Sequence, residues 1–255
     1  MRMPPTCFDP PSSASAATGT SSGIPEVTSR WTRFQQLQHL GIVLAVSLAR
    51  PLAGSTCVLV GGSVPTDPLQ QRYRLIGALI TETTSLLLLW YVMGRQGRFL
   101  HNIGWKLRLT DIPHAIGLFV CAILVPVFAT IPVEYAYWAF SRHWLVPKSL
   151  DGIFGFGISF LSIVFVCLNP FFEELIVRAY TMSEIMSVGG TTGMAIVISV
   201  AVQMSYHLYQ GLANAIALTA VFTIFSIYYA QTKRILPVVL AHLFMDMTFL
   251  FRGGF

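Results

Sequence analysis

"FGFGISFLSIVFVCLNPFFEELIVRAY", residues 154–180, decides how this chain folds. Its first fifteen residues are apolar enough to lie in lipid. Two adjacent acids, Glu173 and Glu174, and a base, Arg178, then follow within six positions. On a soluble helix such charges would be ordinary. Inside a membrane each is costly and marks a functional site by default. The composition selects the second setting. The 255 residues are 54% hydrophobic and 11% charged, with a mean hydropathy of +0.65, whereas a soluble domain carries about 25% charged residues. The chain reads as an all-α, polytopic transmembrane helical bundle.

A helix crossing the bilayer needs about 20 mostly apolar residues. Scanning outward from the quoted stretch predicts about seven spans: 37–62, 75–94, 112–140, 154–187, 191–208, 211–230 and 235–251. Arg50-Pro51 interrupts the first. Pro126 and Pro132 predict a kink in the third, and Pro170 a bend in the fourth. Residues 1–32, rich in Ser, Thr, Ala and Pro, read as a disordered tail without the apolar core of a secretory signal. Residues 33–150 then hold the N-terminal helices and 151–255 the charged core. Cys7, Cys57, Cys121 and Cys167 are far apart and form no CxxC pair, so they read as small apolar residues rather than disulfides or zinc ligands.

The net charge of +5 is dispersed. It forms no basic stripe, which argues against nucleic acid as a partner. With the N-terminus inside, ten Lys or Arg fall on the inner side and five on the outer, and "GRQGRFLHNIGWKLRLTD" (94–111) supplies four of the ten. This predicts a plasma (inner) membrane protein with a cytoplasmic N-terminus.

Three polar clusters fall in the last four spans: Glu173-Glu174-Arg178, His207 in "QMSYHLYQG", and His242 with Asp246 in "LAHLFMDM". Glu174 and Arg178 are an i,i+4 pair in the favourable order, so Glu174 neutralises the base. Glu173 has no base on its own helix face and needs a partner elsewhere. Gly189-Gly190 predicts a turn. Glu173 lies seventeen residues before Gly190 and His207 seventeen after, which puts the two level in an antiparallel hairpin. A carboxylate and an imidazole at one height can share a water, a general-base arrangement. His242 and Asp246, also i,i+4, project together. The other ionisable residues near the spans, His39, His101, His114, His143, Glu82 and Glu134, have no such partner and read as structural.

Glu-Glu-x-x-x-Arg, a helix ending in His, and His-x-x-x-Asn/Asp together resemble the CPBP family, the CAAX proteases and bacteriocin-processing enzymes also called Abi. The Ras-converting CAAX prenyl endopeptidases are its eukaryotic members. The resemblance runs from about Gly152 to Phe251, and "GRQGRFLHNIGW" is similar to the segment that precedes the core in bacterial members. It implies an intramembrane endopeptidase in which Glu173 and His207 activate a water, Glu174 and Arg178 support the site, and His242 and Asp246 stabilise the oxyanion. Two positions depart from the family pattern. Gln203 stands where a Phe is usual, and is expected to orient His207. Asp246 stands where Asn is common, so it must be protonated, orient His242 or bind a metal. Burial beside Glu173 makes the protonated form reasonable. No cofactor is expected. The alternative is zinc at Glu173, His207, His242 and Asp246, although no HExxH motif is present.

The leading function is thus hydrolysis of a peptide bond in a membrane-associated protein or peptide, with the lipid bilayer as the other partner. A membrane scaffold or bacteriocin-immunity protein on the same fold has no need of Glu173. A proton-coupled transporter would more often show internal repeats, and none is found.

Overall fold

The computed structural model describes residues 31–61, 67–144 and 158–252, all within one compact unit, Trp31–Phe255. Most of the expected tail, together with Cys7, Arg2, Arg30 and Lys148, lies outside the described residues. Every regular element among those described is helical: α1 Arg33–Leu59, α2 Pro68–Arg95, α3 Asp111–Ser141, α4 Phe160–Ser187, α5 Thr192–Ser205, α6 Leu212–Thr232 and α7 Leu236–Arg252. The helices begin where capping residues stand. Thr32, Asp67, Ser159 and Thr191 each accept an N–H of the first turn, and Pro68 occupies the position where its missing N–H costs nothing.

Five of the seven helices, α1, α2, α3, α4 and α6, are long and apolar enough to span a bilayer, while α5 and α7 are apolar but shorter. α3 shows what surrounds the bundle. Its buried residues, Asp111, Ala115, Leu118 and Ala122, form a narrow stripe at i, i+4, i+7 and i+11. Ile112, Ile116, Val120, Leu124, Val127 and Phe128 all face outward. An apolar face of that extent belongs in lipid, and the chain is a multi-pass membrane protein.

The expected interruption of the first span at Arg50-Pro51 does not occur. α1 runs through Pro51, and α3 through Pro126 and Pro132. Lipid offers backbone groups no water, so a helix that loses one bond at proline still outlasts any non-helical alternative.

α4 is the central helix. It packs on α2 in its first half and on α7, while α5 returns antiparallel along its second half and docks on α6. The α4–α5 turn closes at Gly189, φ +96°, where Gly190 N–H donates back to the Ile185 carbonyl at 2.9 Å. A side chain at Gly190 would collide with Ile185. The α2–α3 connector is tied beneath the α6–α7 turn. Tyr229 Oη donates to the Ile103 carbonyl at 3.0 Å, Arg98 pairs with Glu184, and a Cβ at Gly104 would meet the Lys233 carbonyl.

Candidate active site

Pro170 does not break α4. The helix instead widens into eight residues of π-helix, Glu173–Tyr180, every one of them buried. Hydroxyls hold the wider turn by donating to its carbonyls: Thr181 to Ile176 at 2.8 Å and Ser199 to Val177 at 2.8 Å, while Tyr229 shares its one hydroxyl hydrogen between Ile103 and, at 3.3 Å, Ala179. π-segments recur at functional sites. Here the segment turns Glu173, Glu174 and Arg178 into the bundle interior, with 4%, 0% and 0% of their surface exposed.

Arg178 is the hub. Its guanidinium pairs with Glu174. It also donates through Nη2 to Gln203 Oε1 at 2.7 Å and through Nε to Ser226 Oγ at 3.2 Å, and it lies over the rings of Phe222 and Phe225. Glu174 has a second partner that the sequence reading missed, because His242 Nδ1 donates to its Oε1 at 2.8 Å. Gln203 uses its other end on Glu173, its Nε2 donating to Oε2 at 2.8 Å. His242, Glu174, Arg178, Gln203 and Glu173 therefore form one continuous polar chain.

The side chain of Gln203 does not orient His207, contrary to expectation, because Glu173 and Arg178 take both of its ends. The Gln203 backbone does so instead: His207 Nδ1 donates to that carbonyl at 2.8 Å. The carbonyl can only accept, so the Nδ1 proton is fixed and Nε2 of the neutral ring is left as an acceptor. Tyr206 and Phe222 flank the imidazole, at 4.6 Å and 5.3 Å between ring centroids.

His207 Nε2 stands 3.9 Å from Glu173 Oε1. That is too long for a direct hydrogen bond and short enough for one water to bridge. His242 Nε2 lies 4.0 Å from Glu173 Oε2 and 3.6 Å from Asp246 Oδ1. Glu173, His207, His242 and Asp246 all line one cavity of about 860 Å³. α1, α2 and α3 complete its walls with Phe119, Ile123 and Pro126 among other residues. Among the described residues no group of three or more His, Cys, Asp or Glu is arranged to hold a metal ion.

Glu82, which its sequence context reads as structural, also belongs to the cavity lining. It is 6% exposed and lines the same cavity. Gln71, Arg74 and Thr81/Glu82 share one face of α2, with Ala78 between them, and all of them line the cavity. Cys57, Cys121 and Cys167 are free thiols.

The family model of type II CAAX prenyl endopeptidases, Rce1-like, matches residues 155–248. Over this segment the chain is similar to the Rce1-like family. The match starts just before α4 and ends inside α7, so it takes in all four cavity residues named above and the π-segment. No curated protein and no solved structure matches the chain. Helices α1–α3 lie outside the matched segment.

Proposed function

We propose that the chain is an intramembrane endopeptidase that hydrolyses a peptide bond of a membrane-associated protein or peptide with a water activated by Glu173 and His207. The observation that carries this reading is the 3.9 Å gap between Glu173 Oε1 and His207 Nε2 at the cavity wall. A water there donates one hydrogen to the carboxylate and the other to the imidazole acceptor. As the water oxygen attacks the substrate carbonyl, its proton passes to Glu173. Gln203 holds the other carboxylate oxygen and fixes the direction of that transfer. The oxyanion forms beside a protonated Asp246 and beside His242 in its doubly protonated form, which donates through Nδ1 to Glu174 and through Nε2 to the oxyanion. Donors already in place where negative charge develops are the largest electrostatic contribution to such reactions. Glu173 then returns its proton to the leaving amine nitrogen, and the C–N bond breaks.

Bilayer and peptide are the partners in this reading, nucleic acid is not, and the chain sits in the plasma (inner) membrane with a cytoplasmic N-terminus. The test is a peptidase assay of the purified protein in lipid nanodiscs against a peptide library, with Glu173→Ala beside the wild type. Cleavage by the wild type alone is the expected result. Wild-type protein that cuts nothing in the library, or a variant that cuts equally well, removes this reading.

A further inference from the structure

Positive charge that is dispersed along the sequence is gathered by the fold at one end of the bundle. α2 and α6 end there, and α3 and α7 begin. The α2–α3 connector packs so closely on the α6–α7 turn that Gly104 has no room for a side chain beside the Lys233 carbonyl. Next to this contact lies a second cleft, of about 200 Å³, lined by His101, Lys106, Arg108, Thr232, Lys233 and Arg234 among others. It shares no lining residue with the cavity that holds Glu173. Both α2 and α6 are long and apolar enough to span a bilayer, so a cleft at their ends stands at the level of the lipid headgroups.

The charges around the cleft are only partly matched. Asp111 pairs with Arg234 through Oδ1, and its Oδ2 accepts the Arg108 backbone N–H at 2.7 Å. This holds the two basic segments together at one edge. Asp111 is itself buried and does not line the cleft. Lys106, Arg108 and Lys233 form no ion pair with any acid among the described residues. The Lys233 ammonium has the Tyr229 ring at 5.8 Å and the Met186 sulfur at 3.3 Å, both weak partners for a charge. Lys106 and Arg108 are exposed. They alternate with Leu107 and Leu109, which are 87% and 95% exposed and stand outside the hydrophobic core. In water that pattern would waste two large apolar side chains. At a membrane surface the leucines enter the acyl boundary while the cations beside them meet the headgroups.

We propose that this cleft binds the phosphate headgroup of an anionic phospholipid, with Lys106, Arg108 and Lys233 around the phosphate and Leu107 and Leu109 against the acyl chains. A phosphodiester offers charged acceptor oxygens to guanidinium and ammonium alike. A soluble anion would satisfy the cations and leave the two leucines in water, whereas a lipid satisfies both. Tyr229, under Lys233, also donates to Ile103 of the connector, so a headgroup held here clamps the connector to the α6–α7 turn. The inference concerns binding and does not rest on the peptidase reading.

The full chain, purified in detergent, is offered equal amounts of phosphatidylglycerol and phosphatidylcholine with the same acyl chains, and the lipids retained are counted by native mass spectrometry. The first phosphatidylglycerol is expected to be retained about tenfold or more over phosphatidylcholine and to raise the melting temperature. Lys106→Gln, Arg108→Gln and Lys233→Gln are each expected to weaken it about fivefold, the contribution of one Lys or Arg at an anionic surface. Lys106→Gln and Arg108→Gln alter only exposed side chains, so they decide the matter even where Lys233→Gln, at the end of α6, disturbs the fold. Arg72→Gln, at an exposed position near the other end of α2, is expected to change nothing. Replacing Leu107 and Leu109 together by Gln keeps every charge and is expected to weaken the lipid as well. Equal retention of the two lipids overturns the proposal. An equal loss in Arg72→Gln and in the cleft variants overturns it in favour of a diffuse effect of net charge. Displacement of phosphatidylglycerol by equimolar inorganic phosphate, with the double leucine variant binding like wild type, overturns it in favour of a soluble anion.

Discussion

Gln203 donates its side-chain amide N–H to Glu173 Oε2 across 2.8 Å. The same side chain accepts from Arg178 through its carbonyl oxygen. A residue on α5 thus connects the carboxylate proposed as the base to the buried ion pair on α4. The amide suits this because it offers a donor to the acid and an acceptor to the base at once. Gln203→Leu fills the same space and offers neither. It is expected to lower thermal stability in detergent by about 2–4 kcal/mol, for two lost bonds to charged groups, and to lower kcat at least tenfold. Gln203→Glu keeps a partner for Arg178 but faces Glu173 with a second acid, so it is expected to retain more stability than the Leu variant while losing turnover. A Gln203→Leu protein that melts and cleaves like wild type would show that the bridge has no role.

Glu173 and His207 act on one water in the proposed reaction, which makes their contributions inseparable. Glu173→Gln and His207→Ala are each expected to abolish turnover while leaving membrane insertion intact. The double variant is expected to be no slower than either single one, because groups that act as a unit are not additive. Single-turnover rates for the three variants check this. Losses that multiply in the double variant would assign the two residues to separate steps.

Arg178 is wholly buried, and its charge is matched by Glu174. Removing one partner of such a pair leaves an uncompensated charge and costs about 3–5 kcal/mol. Arg178→Ala is therefore expected to melt well below wild type and to lose activity with it. Glu174→Gln removes the ion pair and also the carboxylate that anchors His242, so it is expected to lose activity beyond what its melting temperature explains. An Arg178→Ala protein that is fully stable yet inactive would move Arg178 from support into the chemistry.

The helices and the meeting of Glu173 with His207 were legible because both follow from counting. Apolar run lengths mark spans, and equal counts on either side of Gly190 set the level of the two residues. The π-segment was not legible, because nothing in "EELIVRAY" separates it from α-helix. Hydroxyls on Ser199 and Tyr229, distant in sequence, hold its carbonyls. The role of Gln203 was misassigned because helical spacing identifies who shares a face, not which of two neighbours wins a side chain. Glu82 escaped for a related reason. Its acidic neighbours across the cavity, Glu173 and Asp246, lie on α4 and α7, so its own helix shows only a lone acid, and a lone acid on one helix carries no sign of what another helix brings to it.

Asp246 faces His242 Nε2 at 3.6 Å on the cavity wall, at a position where the family more often carries Asn. If it serves as a protonated donor to the oxyanion, Asn can replace it, since both present a hydrogen from nearly the same place. Asp246→Asn is then expected to keep most of the wild-type kcat. The pH profile should change in one direction only. As pH rises, wild-type Asp246 loses its proton, ceases to donate and repels the developing negative charge, so activity falls on the alkaline side. Asn has no proton to lose, and the alkaline limb of the variant should lie at higher pH while the acidic limb, set elsewhere, stays in place. If Asp246 instead ligates zinc, its carboxylate is indispensable, and Asp246→Asn loses metal and turnover together. Rate profiles of both proteins, measured with and without chelator alongside metal content, separate the two. One zinc per wild-type chain, activity lost to chelator and a dead Asn variant would replace the carboxylate mechanism with a metal-dependent one.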